Sequence, residues 1–320
     1  MTKNTPIAAY MAVLAGSLAL TAPAMAQSVD IGTMSQGTLS YSTGSAIAQV
    51  LQQQGGINAR VQPNSGETTI MPLVNAGELT LGIASIGEVA NAVGGAGVFE
   101  GRPQEDMLAL AALVPLTVGI FARADSGIET IPDLAGRRLT AEFSAMGVIN
   151  DILLASLANQ GVSIADVSPI NVPNVARGAD DFIAGRADAF FFGLGAAKVL
   201  EADASVGGLR MLPLSDDAEA VARMTEVFPQ GYLTLQQPGD TMPGFEEPTY
   251  VMTYDNILLI SADAPDELAA SIAQILAENK DALAANFPPF NALVVEDLYK
   301  DLGTIEYHPG AAAYYEQAGL

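Results

Sequence analysis

The chain has 320 residues, of which 50% are hydrophobic, and 36 acidic against 13 basic residues give a formal charge of −23. It holds no Cys and a single His, which excludes disulfides, thiolate catalysis, Cys-ligated metals and a multi-histidine metal site. The acidic balance disfavours nucleic acid and anionic membranes as partners, because both call for a basic surface, and the length suits two lobes of roughly 100–200 residues.

Lys3 precedes an apolar run over 7–20, and Ala24-Met25-Ala26 follows. A basic start, a run of about 14 apolar residues and an A-x-A end describe a secretory signal peptide over 1–26, cleaved after Ala26. The alternative, an uncleaved anchor, is disfavoured because the run is shorter than the ~20 residues that span hydrocarbon. A periplasmic protein is therefore expected.

Beyond it, short β-rich runs alternate with helical patterns, which implies βαβ units and a largely parallel sheet. Strands are predicted over 29–32, 59–62 and 79–84, with helices over 43–54 and 68–76 between them. The Gly-rich stretch 91–101 is predicted as a loop, and 107–122, interrupted by Pro115, as consecutive buried strands. A second series predicts strands over 138–141, 168–172, 187–192 and 209–214, with helices over 147–159 and near 175–184. Residues 236–248 hold three Pro and two Gly and are predicted irregular; 249–260 is strand-like, and Asp263 and Pro265 start a long amphipathic helix. The expected fold class is α/β, two-lobed, with residues 27–120 plus 255–320 in one lobe and 121–254 in the other. The extended connections near 115–122 and 249–260 form a double crossover.

Three turns between a strand and a helix are candidate ligand contacts, because a helix start offers unpaired N–H groups and a positive dipole end to an anion. The first supplies Thr33, Met34, Ser35 and Thr38, with Tyr41 one turn on; it is not a G-x-G-x-x-G, and a plain βα turn is the alternative. The second supplies Asn64, Ser65 and Thr68, and Ser85 ends the third strand. The third, opening the helix of the second lobe, supplies Glu142, Phe143, Ser144, Ala145 and Met146. Ligands of open α/β sheets bind in such crevice-side loops. Of Phe190, Phe191 and Phe192, two belong in a core, and the ring at the strand end, Phe192, can face a cleft. His308 reads as a structural or capping residue, and Arg123 with Asp125, at the entrance to the second lobe, as a solvated ion pair, with a hinge pair or a ligand contact as the alternatives. No G-x-S-x-G elbow accompanies the His, so hydrolase chemistry is not expected.

Several blocks then resemble a known family. Ile31-Gly32-Thr33 with Gly37-Thr38 and Tyr41, Asn75-Ala76-Gly77-Glu78-Leu79 through Leu81-Gly82-Ile83, and Arg123-Ala124-Asp125-Ser126-Gly127-Ile128 are similar to segments of the TAXI-type extracytoplasmic solute receptors of TRAP transporters. Asp133-Leu134-Ala135-Gly136-Arg137-Arg138, Gly185-Arg186-Ala187-Asp188-Ala189-Phe190-Phe191 and the ending His308-Pro309-Gly310-Ala311 with Tyr314-Tyr315 extend the resemblance across the chain after the signal peptide. It implies a type II periplasmic-binding-protein fold with a hinge of crossing strands. It also implies capture of a small organic acid or amino acid by a monomer, without cofactor or metal, and delivery to the permease subunits of a TRAP transporter. Met34, Ser35 and Gln36 stand where the family has more Gly, and Glu67-Thr68-Thr69-Ile70 stands where it has Ser-x-Glu-Asn, so the pocket departs from one for a glutamate-like ligand. Glu142, facing a cleft, would repel an anion or pair with an amine. The competing role is a ligand sensor feeding a membrane histidine kinase.

Overall fold

A computed structural model describes residues 1–2, 28–239 and 241–320. The signal peptide reading falls on residues that, apart from the first two, lie outside the described ones.

The first sheet is assembled from β1 (Val29–Thr33), α1 (Leu39–Gly55), β2 (Ala59–Pro63), α2 (Glu67–Asn75), β3 (Leu81–Ser85), α3 (Ile86–Gly94) and β4 (Met107–Ala112). The chain then crosses to a second sheet through β5 (Leu116–Arg123), β6 (Arg138–Ala141), α4 (Gly147–Asn159), β7 (Ser168–Asn171), α5 (Val175–Ile183), β8 (Ala189–Gly193) and α6 (Ala197–Val206). That sheet is completed by β9 (Leu209–Leu212), α7 (Ala218–Val227), β10 (Tyr232–Gln236) and β11 (Thr249–Tyr254). The return passage leads into β12 (Asn256–Ser261), α8 (Asp266–Glu278), α9 (Lys280–Asn286) and α10 (Pro309–Ala318).

Strand order is β2-β1-β3-β12-β4 in the first sheet and β10-β11-β5-β8-β6-β7 in the second, where β9 also pairs with β5. The βα units give parallel pairs, β1 with β2 and β3, and β6 with β7 and β8. The strands next to the crossings are antiparallel, β12 against β3 and β4, and β11 against β5. Both crossings lie side by side: Tyr254 pairs with Leu116 on one side, and the Leu113 amide donates to the Asn256 carbonyl at 2.7 Å on the other. The molecule is thus a two-lobed α/β fold hung on one antiparallel ribbon.

Packing follows strand chemistry. Every residue of β3 and of β12 is buried, as expected of central strands covered on both faces. One apolar core lies between the first sheet and α1, α8 and α10, with Ile47, Leu51, Ile272 and Tyr315 at its centre. The other runs from the α2 face of that sheet into the second sheet, joining Ile70 and Val74 to Phe143, Phe190 and Phe192. His308 is buried and caps α10: its Nδ1 accepts the Gly310 amide at 3.2 Å, and its Nε2 lies 3.0 Å from the Ala264 carbonyl. Arg123 and Asp125 form an exposed pair at 3.1 Å.

The structure also corrects the element reading. The loop predicted over 91–101 is helical up to Gly94, and Gly95 then turns to φ 62°, the left-handed conformation that ends a helix. The strand predicted over 249–260 is two strands broken at Asp255. α6, α7 and β10 were not foreseen; β10 is a largely exposed edge and α7 buries only Ala220 and Met224, so neither carries a strong apolar pattern.

A glycine pair tests this packing. A Cβ at Gly310 would sit 2.2 Å from the backbone oxygen of Asp266, whereas one at Gly94 meets nothing within 4 Å. Gly310→Ala should therefore cost about 1–3 kcal/mol by overpacking, and Gly94→Ala should be neutral or gain about 0.5 kcal/mol from reduced chain entropy. Urea midpoints check both; equal effects would show that α10 is not docked on α8 as described.

Candidate functional site

The loops that leave the C-terminal ends of β1, β2 and β3 in one lobe face those that leave β6, β7 and β8 in the other. Parallel strands bring these loops to one end of each sheet, and the hinge ribbon turns those ends toward each other. In the first turn, Thr38 caps α1: its Oγ1 accepts the Tyr41 amide at 3.2 Å and donates to the Ser35 carbonyl at 2.8 Å. Ser35 Oγ donates to the Asn64 carbonyl at 3.3 Å, tying the first turn to the second.

The lobes touch through hydrogen bonds between these loops. Thr68 Oγ1 donates to the Ala145 carbonyl at 2.7 Å, and Asn174 Nδ2 to the Ser65 carbonyl at 3.1 Å. The Lys198 amide, at the start of α6, donates to the Gly37 carbonyl at 3.2 Å. Gly66 is required by this approach, since a Cβ there would fall 1.9 Å from the Ala145 oxygen. The conformation is closed.

Between the lobes lies a cavity of only about 30 Å3, close to the liquid volume of one water. Met34, Leu39, Met146, Phe191, Phe192 and Tyr254 make half of its wall, and Thr38 and Tyr254 carry the only side-chain hydroxyls among the residues lining it. Unbranched Met side chains on both sides can re-pack around an entering molecule.

Two carboxylates are buried beside the cleft. Glu67 Oε2 accepts the Ser85 amide at 3.0 Å and the Ser85 hydroxyl at 2.7 Å, within one lobe. Glu88 Oε2 accepts the Val148 amide at the start of α4, at 2.6 Å, across the lobes. Its Oε1 is buried without a hydrogen-bond partner among the described residues. Burial raises the Glu67 carboxyl above its ordinary range. Burial first, and then the charge of Glu67, push Glu88 up to about 7 against the opposing Val148 amide.

The fifteen sequence-predicted positions divide by what they touch. Met34, Thr38, Met146 and Phe192 line the cavity, and Thr68 and Ala145 bridge the lobes. Thr33, Ser35, Asn64 and Ser85 lie in the same loops but spend their side chains on local bonds: Thr33 Oγ1 on the Met34 carbonyl and Asn64 Nδ2 on that of Gln62. Ser65 is exposed with its hydroxyl 3.1 Å from that of Thr69, while its carbonyl takes the Asn174 contact. Tyr41 is half-buried, and Ser144 is exposed. Phe143 is turned into the second lobe, fully buried, its ring 6.5 Å from that of Phe191. Glu142 is exposed rather than enclosed in the cavity, at φ 51°, an uncommon value for a non-glycine residue. All three of Phe190, Phe191 and Phe192 are buried, and the last two face the cavity.

A model of the NMT1-like family matches residues 31–319. The chain belongs to the NMT1-like family. Among solved structures it is similar to the periplasmic aliphatic sulphonate binding protein SsuA of Escherichia coli, with TM-score 0.51 and 18% identity over 91% of this chain and 83% of that one. It is similar also to a protein of Bordetella bronchiseptica RB50 (TM-score 0.52, 14% identity, 92% and 98% covered) and to a periplasmic transporter (TM-score 0.54, 11% identity, 91% and 92% covered). At these identities the likeness establishes the fold: this NMT1-like chain has the two-lobed periplasmic-binding-protein architecture.

Sequence reading of this NMT1-like chain missed Glu88, Tyr254, Ile149 and Val175, and passed over Glu67 within its own second turn. A first-turn Glu on two successive helices was the available signal. Among the described residues no helix is long and apolar enough to cross a membrane, and no group of three or more His, Asp or Glu is placed to hold a metal ion.

The Glu88 contact predicts a pH dependence. Its carboxyl titrates near 7 in the folded protein and near the ordinary 4.5 in the unfolded chain, so folding takes up a proton between these values. The Glu88 contribution to folding should be most favourable below about pH 4.5 and lose on the order of 3 kcal/mol as pH rises through 7. Melting of the wild type minus that of Glu88→Gln, followed from pH 5 to 8, should fall along this range; parallel curves would show that Glu88 does not titrate there.

Proposed function

We propose that the protein is an extracytoplasmic solute receptor that captures a small organic acid or amino acid by closing its lobes, performs no chemistry on it, and delivers it to a membrane permease. The observation that carries this is the Thr68 to Ala145 contact with its neighbours: loops from opposite lobes meet through a few hydrogen bonds. A net hydrogen bond contributes about 0.5–1.5 kcal/mol, so the polar bonds of the interface are few and individually weak, beside the apolar contact that continues across it. Shifting a mostly open population to a mostly closed one takes about 5.5 kcal/mol of differential affinity, and a micromolar ligand supplies about 8 kcal/mol in all.

The starts of α1 and α2 would offer amides and positive dipole ends to an acidic group of the solute, that of α4 being met already by Glu88. The formal charge of −23 does not forbid this, since charges beyond about 8 Å are largely screened. Met34, Met146 and Phe192 would hold an apolar portion. An anionic solute agrees with the likeness to SsuA of Escherichia coli, an aliphatic sulphonate binding protein.

The resemblance to TAXI-type receptors extends the proposal to a TRAP permease driven by sodium, with a periplasmic receptor released after Ala26. Uptake by the reconstituted system that requires a sodium gradient supports that step, and uptake that requires ATP overturns it.

A thermal-shift screen of organic acids, amino acids and sulphonates should yield one class that raises the melting temperature by several degrees at about 100-fold excess over Kd. Thr68→Val should weaken that ligand about 3–10-fold by loss of the inter-lobe hydrogen bond, and scattering should show compaction with ligand. A hit recovered chemically altered, or bound without compaction, would overturn receptor function.

A further inference from the structure

A second, predominantly apolar space lies near the lobe junction, apart from the cleft. It is a cavity of about 310 Å3 against the hinge, roughly ten times the volume between the ligand-facing loops. The start of α1 contributes Leu39 and Thr43, the first crossing contributes residues 114–117, and Leu194 follows β8. The floor is closed by Phe287 and Phe290, whose rings meet edge to face at 6.1 Å, and by the two prolines between them in sequence. Met242, from the loop between β10 and β11, closes the far side.

We propose that this hinge cavity is a second binding site, for a compact, neutral, planar apolar molecule about the size of a fused two-ring aromatic. Size sets the first limit. An apolar cavity of about 150 Å3 takes one benzene, and 310 Å3 is about twice that, at the lower end of the range for small-molecule pockets. Charge sets the second: among the described residues lining it there is no Lys, Arg, Asp or Glu, so an ion entering would lose its hydration without a partner. Thr43, Thr117, Gln236 and Thr241 give the wall a few polar groups, enough to orient one N–H or hydroxyl on the occupant. The Phe, Pro and Met surfaces suit a flat ring.

The site is distinct from the proposed solute cleft, although Leu39 and Leu116 form a common partition between the two. Its wall includes the crossing itself and residues from both lobes, so an occupant would touch the element about which the lobes turn.

Indole is a suitable probe, because the chain contains no Trp and indole fluorescence is read against tyrosine alone. Titration of the full chain should show saturable one-to-one binding. Ala292→Phe, which fills the cavity from its exposed rim, should weaken binding at least about tenfold with an unchanged melting temperature in the absence of indole, while Ala292→Ser should bind as the wild type does. Met146→Ala alters only the cleft cavity and should leave indole affinity within about twofold. Non-saturable binding, wild-type affinity in Ala292→Phe, or loss of binding in Met146→Ala would each overturn the hinge site. None of these outcomes touches the solute-receptor proposal, which is tested by ligands of the cleft.

Discussion

Both passages between the lobes travel in one hydrogen-bonded ribbon, and everything else in the molecule is arranged around that constraint. Tyr254 pairs with Leu116, and the Leu113 amide reaches the Asn256 carbonyl, so the two crossings cannot bend independently. A pair of unlinked crossings would leave each lobe free to twist. A ribbon leaves chiefly an opening and closing motion, which keeps the same loops opposed whenever the lobes meet. The hinge cavity lies against this ribbon, whereas the cleft lies where the loops meet.

The polar and apolar parts of the lobe interface do different work. An apolar core runs without interruption from Ile70 and Val74 through Met34 to Phe192, which makes the closed form compact even though its inner cavity is water-sized. Apolar contact of this kind is indifferent to orientation. Register between the lobes is set instead by directional bonds, Thr68 to Ala145 and Glu88 to Val148, and by Gly66, where any Cβ would strike the opposite backbone. Glu88 adds a cost to that register at neutral pH, because its carboxylate is buried beside Glu67 with one oxygen unpartnered among the described residues.

How much of this was legible in the sequence depends on the distance over which the signal acts. The βα alternation and strong apolar runs placed β1, β2, β6 and α4 to within a residue or a few, since burial of a strand or helix face is written locally. β10 and α7 bury little and left no such pattern. The strand–helix turns were legible as turns, and with them the positions that line or bridge the cleft, Met34, Thr38, Thr68, Ala145 and Met146. Direction of the side chains was not. Phe143 and Met146 stand three residues apart in one turn, yet Asn150 holds the backbone of Phe143 so that its ring enters the second-lobe core while Met146 faces the cavity.

Glu88 shows the same limit more sharply. Locally it is an acidic residue in the first turn of α3, a placement that a helix dipole alone explains. Its partner, the Val148 amide, lies 60 residues away on another lobe. No period of 2 or 3.6 links such positions; only the double crossing that folds one sheet's loops against the other's brings them within 2.6 Å. A carboxylate carried in the first turn of one lobe's helix thus accepts from the start of the opposing lobe's helix. Fold class could be inferred from local chemistry, but coupling between lobes is a property of the closed interface alone.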